Sequence, residues 1–105
     1  MTTLSANPEV LTALVDQNND LATQIERSTD AEELAAAEKN VRFVADLWLA
    51  LGYGYKLNEL RKRVVRRAEH LVTVERAYLA TIRKNDRTRN SSERNLKGLE
   101  TLATL

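Results

Sequence analysis

The sequence predicts an all-α protein, either a four-helix bundle or two helical hairpins with coiled-coil-like seams. Three observations predict this class. Apolar residues recur at helical spacing, and only three Gly and one Pro interrupt 105 residues. No run alternates β-branched or aromatic residues with polar ones, as a half-buried strand would. At this length we expect a single helical domain, residues 1–105.

The first helix is predicted over residues 8–27. Asn7 suits the N-cap, and Pro8 fits the first helical position. The apolar seam advances by three and four residues and holds one polar member: Leu11, Leu14, Asn18, Leu21 and Ile25. A lone Asn in such a seam selects register and subunit number when it meets another Asn, or it lies at the rim of a bundle within one chain. The sequence leaves both interpretations of Asn18 open.

The second helix is predicted over residues 30–51. Asp30 followed by Glu33 is typical of a capped N-terminus, and Gly52 stands where a left-handed C-cap is expected. The seam continues with the same spacing: Leu34, Ala37, Val41, Val44, Trp48 and Leu51. The segment 43–51 is apolar on most sides, which predicts that several neighbours cover it.

The third helix is predicted over residues 57–84, and a short fourth helix over 92–104. One side of the third helix is an apolar arc: Leu57, Leu60, Val64, Ala68 and Leu71. The opposite side is basic: Lys62, Arg63, Arg66, Arg67 and His70. The segment 71–82 is apolar on more than one side, and Tyr78 lies outside the arc. This segment is therefore also expected to contact more than one partner.

Glu75 is a carboxylate at a position where the third helix should be apolar. A buried, unpaired carboxylate costs several kcal/mol, so Glu75 needs a partner or water. One interpretation is an ion pair with Arg27 or Arg42. The other is that the seam rotates at this point and leaves Glu75 partly wet.

Charge divides the chain into two halves. Residues 1–52 hold nine acidic and three basic residues, a net charge of −6, whereas residues 53–105 hold thirteen basic and six acidic residues, a net charge of +7. Such polarity is typical of a nucleic-acid-binding half. It equally favours hairpins that attract each other, or subunits that pack head to tail.

The residues that carry enzyme chemistry are scarce. Cysteine is absent, and His70 is the only histidine, with no second ligand at metal-binding spacing. No glycine-rich loop carries the lysine that binds phosphate, and no apolar run approaches the roughly 20 residues that span a bilayer. We therefore expect no enzyme, cofactor, metal, small-molecule substrate or membrane, and we expect a location in the cytoplasm or in a particle assembled there.

These patterns favour a small structural or assembly protein that self-associates or docks onto a larger complex, such as a virus particle component or an adaptor. The expected core or oligomer interface comprises Leu11, Leu14, Asn18, Leu21, Ile25, Val44, Trp48, Leu51 and Tyr78. The alternative is a helical nucleic-acid-binding protein. In either case the partner is expected to meet the basic side chains Lys62, Arg63, Arg66, Arg67 and His70.

Overall fold

The computed structural model describes residues 8–82 and 86–105, which form four α-helices. They are α1 (Pro8–Arg27), α2 (Ala31–Ala50), α3 (Gly54–Leu79) and α4 (Thr88–Leu102). No strand occurs in these two described ranges. The all-α bundle predicted from the sequence is therefore confirmed. The expected cap Asn7 lies outside the described residues.

The α2–α3 pair forms the centre of the bundle. Each of these helices packs against every other helix, whereas the described parts of α1 and α4 do not pack against each other. The seam of α2 is buried along its length, and so is the apolar arc of α3, including Leu60, Val64 and Ala68. Full burial of a large aliphatic side chain stabilises by about 1.5–3 kcal/mol, so this seam is the main source of stability.

The two outer helices add smaller apolar faces to this centre. α1 buries Leu14, Leu21 and Ile25, and α4 buries Leu99 and Leu102. The molecule measures 59 × 23 × 16 Å, with a radius of gyration of 17.0 Å, against about 13 Å for a compact domain of this length. An elongated bundle of four helices leaves much of each helix exposed.

The cap expected at the start of α2 is confirmed. The Oδ1 atom of Asp30 accepts a hydrogen bond from the backbone N–H of Glu33 at 2.8 Å. The Glu33 carboxylate reaches back and accepts from the backbone N–H and the hydroxyl of Thr29, at 3.1 and 3.2 Å. Two otherwise unpaired N–H groups at the helix start are thereby satisfied.

Gly52 ends α2 with the left-handed conformation expected from the sequence, at φ 83°. Its N–H donates to the carbonyl of Leu49 at 3.0 Å, and the N–H of Tyr53 donates to the carbonyl of Trp48 at 2.9 Å. The Tyr53 and Trp48 rings also meet edge to face, with centroids 5.9 Å apart. This turn reverses the chain within three residues, so α3 begins at Gly54, three residues earlier than predicted.

α3 ends at Leu79, before the predicted end at residue 84, which is outside the described residues. The hydroxyl of Thr81 donates to the carbonyl of Tyr78 at 2.7 Å. The guanidinium of Arg89 reaches back from α4 to the carbonyls of Leu79 and Ile82, at 3.4 and 3.3 Å. These side chains satisfy carbonyls that further helical turns would otherwise have paired.

Asp86 explains why α4 begins at Thr88 rather than at the predicted residue 92. Its Oδ1 atom accepts hydrogen bonds from the backbone N–H of Thr88 at 3.0 Å and from the Thr88 hydroxyl at 2.8 Å. Both bonds favour the carboxylate, the backbone bond more, and they hold the pKa of Asp86 below its usual range. Because this pKa is lowered, the contribution is present at neutral pH and is lost only in strongly acidic solution.

α4 approaches α2 closely at Gly98. A Cβ atom at this position would lie 2.8 Å from the Cβ of Ala31, so the two helices pack through residues with little or no side chain. One turn earlier, the Oδ1 atom of Asn95 accepts a hydrogen bond from the backbone N–H of Ala31 at 2.6 Å. The same contact therefore anchors α4 and satisfies another N–H group at the start of α2.

Asn18 carries one of two buried side-chain polar atoms, in the described residues, that have no hydrogen-bond partner. These atoms are Oδ1 of Asn18 and Nε1 of Trp48. An unsatisfied buried acceptor costs about 1–3 kcal/mol. Asn18 is half-buried beside the fully buried Ile25 of the same seam, so it weakens α1 within a single chain.

We expect Asn18→Leu to raise the free energy of unfolding by about 1–2 kcal/mol, because the substitution removes the unpaired acceptor and completes an apolar seam. Urea unfolding measures the change, and Asn19→Leu at the exposed neighbouring position is the matched control. A loss of stability in Asn18→Leu would instead show that the amide has a partner in solution, such as Asn18 of another copy.

Candidate functional site

The five basic side chains predicted from the sequence share the outward side of α3. We call this set, Lys62, Arg63, Arg66, Arg67 and His70, the basic ridge. All five line one groove between α1 and α3, together with Glu26 and Glu59. Positions 62, 66 and 70 are spaced four residues apart, about 6 Å per step along the helix axis. The helix therefore presents two cations, Lys62 and Arg66, followed by a histidine at the same spacing.

Arg67 is part of the fold. Its Nε atom donates a hydrogen bond to the backbone carbonyl of Ser28 at 2.9 Å, immediately after α1 ends. Ser28 is itself buried, and its hydroxyl donates to the carbonyl of Gln24 at 2.8 Å. A guanidinium at the carbonyl end of a helix satisfies an unpaired acceptor and complements the helix dipole.

Arg63 also contacts α1, but more weakly. Its Nη1 atom lies 3.5 Å from Oε1 of Glu26, and both side chains are about half exposed. An exposed ion pair of this kind contributes about 0.2–1 kcal/mol. Glu59, four residues before Arg63 on α3, makes no ion pair with it. Two of the five ridge residues, Arg63 and Arg67, thus contact the N-terminal half of the same chain.

The other three ridge residues, Lys62, Arg66 and His70, are exposed, and none of them forms an ion pair with any described residue. Lys62 and Arg66 also line a second groove, on the opposite flank of α3 beside the end of α4. That groove has an apolar component from Val65 and from Leu105, which is 60% exposed. The free cations therefore flank apolar surface.

The residues proposed from the sequence as core or oligomer interface divide into two groups. Six belong to the core of the single chain: Leu14, Leu21, Ile25, Val44, Trp48 and Leu51. Leu11 and Asn18 are half-buried at the edge of α1, and Tyr78 is exposed on α3. Only the latter three keep surface that another molecule could contact.

Several large apolar side chains outside that proposed set are exposed. Phe43 is the most exposed of them at 73%, and Leu47 and Leu49 follow it on α2. In the segment 71–82, Val74 is half exposed beside Tyr78. The sequence indicated the two apolar segments but not these residues. The sequence could have indicated their exposure, because these residues lie outside the α2 seam and the α3 arc.

Leu47 lines a groove between α1 and α2. We call this the acidic groove; it is lined by Val10, Ala13, Leu14 and Leu47, with Asp16 and Asp20 at its rim. Asp16 and Asp20 are exposed and form no ion pair with a described residue. Phe43 lies one turn before Leu47 on the same helix, with Lys39 over its ring at 5.8 Å.

Glu75 finds its partner on α4. Its Oε1 atom accepts a hydrogen bond from the hydroxyl of the buried Ser92. The expected ion pair with Arg27 or Arg42 is absent, since Arg42 pairs with Glu38 at 3.1 Å and Arg27 forms no ion pair in the described ranges. Glu75 is half-buried, so the carboxylate keeps access to water. It acts as a polar contact between α3 and α4.

In the described part of the chain, no three histidine or acidic side chains come together to hold a metal ion. No helix there is long and apolar enough to cross a bilayer. The sequence matches no protein-family model, and neither a curated protein nor a solved structure is significantly similar to the chain. The surfaces of the chain are therefore the basis for inferring its function.

Adjacent arginines on the ridge allow a direct comparison. We expect Arg67→Ala to lower the free energy of unfolding by about 1.5–3 kcal/mol, because a charged hydrogen bond to the Ser28 carbonyl is lost. Arg66→Ala, at an exposed position without an ion pair, should change it by no more than about 0.5 kcal/mol. Urea unfolding at low protein concentration measures both. Equal effects would contradict the division of the ridge into structural and free residues.

Proposed function

We propose that this protein is a non-enzymatic assembly module that associates through its exposed apolar side chains, primarily with other copies of itself. The observation that carries the proposal is Phe43, a phenylalanine 73% exposed on α2, where Leu47 and Leu49 are exposed as well. Soluble monomers seldom expose contiguous apolar patches, and such patches mark interaction surfaces. Phe43 and Leu47 are one turn apart beside the apolar lining of the acidic groove.

The charge distribution supports the same proposal. The carboxylates Asp16 and Asp20 at the rim of the acidic groove are without an ion pair among the described residues, and so are Lys62 and Arg66. Every copy therefore carries two such carboxylates and two such cations. A contact between copies would bring them together, whereas the fold of one chain does not. A virus particle component or an adaptor would be a protein of this class.

We expect wild-type protein at tens of micromolar to have an average mass above the 11.9 kDa of one chain, rising with concentration. Phe43→Ser with Leu47→Ser should return it to the mass of a monomer while changing the unfolding free energy little, since both side chains are substantially exposed. Light scattering after gel filtration measures the mass. Val15→Ser is the matched control, because this valine of α1 is similarly exposed and does not line the acidic groove. A monomeric wild type at these concentrations would refute the proposal.

A second candidate function is binding to a nucleic acid backbone. The observation that favours it is the row formed by Lys62, Arg66 and His70, whose side chains are exposed and unpaired in the described structure. Cations at this spacing contact phosphates without reading sequence. Glu59 and Glu69 on the same flanks of α3 oppose such binding.

If this second function holds, each phosphate neutralised contributes about −0.9 to the slope of log K against log salt for duplex DNA. We expect Lys62→Ala with Arg66→Ala to make the slope shallower by roughly two such contributions. Fluorescence anisotropy with a labelled duplex and a labelled single strand measures it, and Arg94→Ala with Lys97→Ala on α4 is the control. Absence of binding at low ionic strength would exclude this function.

A further inference from the structure

Two grooves on the molecule combine an apolar centre with charge, and their charges are opposite. The acidic groove has Val10, Ala13, Leu14 and Leu47 at its centre and two carboxylates at its rim. The groove beside the end of α4 has Val65 and Leu105 at its centre, with the cations Arg61, Lys62 and Arg66 around them. Among the described side chains that line this second groove, Glu69 carries a carboxylate.

These two surfaces are built from different parts of the chain: α1 and α2 line the acidic groove, whereas α3 and Leu105 line the groove with the cations. α2 and α3 bury the rows of side chains that face each other, including Val41 and Val64. Phe43 on α2, and Lys62 and Arg66 on α3, lie outside these buried rows and are exposed. Within one chain, neither Asp16 nor Asp20 forms an ion pair with Lys62 or Arg66.

We propose that the acidic groove of one copy receives the basic ridge of the next copy, so that chains associate head to tail. This inference rests on the proposed self-association and specifies its geometry. Asp16 and Asp20 then meet Lys62 and Arg66, while Phe43 and Leu47 cover the apolar surface around Val65 and Leu105. Opposite charges around an apolar centre give both affinity and a fixed orientation.

The dimensions of the molecule permit such a contact. A standard protein interface buries about 800 Å² on each partner. A long face of this bundle, 59 Å by 23 Å, exceeds that area. Because the contact joins two different surfaces, it is heterologous and does not close on itself by a two-fold axis. An open series of copies leaves one acidic groove and one basic ridge unfilled and grows with concentration, whereas a rotation between copies that closes gives a ring.

Charge reversal tests the geometry. Lys62→Glu with Arg66→Glu should lose association, and so should Asp16→Lys with Asp20→Lys, because each variant opposes like charges at the contact. An equal mixture of the two variants should recover the wild-type mass, since every contact is complementary again. Arg94→Glu with Lys97→Glu makes the same change in net charge on α4 and should keep the wild-type mass. Sedimentation velocity measures all four samples, and circular dichroism confirms that each variant is helical.

The outcomes separate this inference from the proposed function. If wild type associates and Lys62→Glu with Arg66→Glu associates equally well, the contact joins two apolar faces symmetrically, and the head-to-tail geometry is wrong while self-association stands. If that variant also loses binding to nucleic acid, the basic ridge binds phosphate and not a second copy. Loss of association in both charge variants without recovery in the mixture would also overturn the geometry. A monomeric wild type would overturn both proposals.

Discussion

The packing of α2 against α3 is the contact on which the other features depend. The Gly52 turn places the two helices side by side, and their buried seams hold them there. α1 and α4 pack on this pair without packing on each other. Because neither outer helix covers the outward sides of α2 and α3, Phe43 on one side and Lys62 with Arg66 on the other stay exposed. The surfaces proposed to act in assembly are consequences of how the centre packs.

Periodicity and helix-terminal chemistry were enough to predict most of this fold. The all-α class and the caps at Asp30 and Gly52 are confirmed because they depend on residues within a few positions of each other. The predicted start of α4 was wrong, since the Asp86 hydrogen bonds to Thr88 precede the apolar pattern that defined the helix. The predicted end of α3 was also wrong, because the observed end depends on hydrogen bonds from Arg89 of the following helix. The Asp86 bonds are local but lie in a polar stretch without an apolar period, and the Arg89 contacts reach back seven and ten residues, so neither leaves a helical spacing to detect.

The candidate surfaces were predictable only in part. The basic ridge follows from a helical wheel. Its division into structural and free residues does not, because the role of Arg67 requires the position of the Ser28 carbonyl, just after the end of α1. The α1 seam indicated an interface or a core without separating them. Packing decides that Ile25 is interior and that Asn18 lies at the edge with an unpaired oxygen. Likewise, the exposure of Phe43 is evident only once the position of α1 beside α2 is known.

In the proposed assembly, the acidic groove of one copy contacts the basic ridge of the next. Zero-length cross-linking of carboxylates to amines detects this contact directly. An equal mixture of isotopically light and heavy protein would be treated with a carbodiimide and its linked peptides identified by mass. The head-to-tail contact predicts cross-links between Lys62 and Asp16 or Asp20 that join light to heavy chains. Assembled protein in which Lys62 forms no link to these two residues across chains would contradict it.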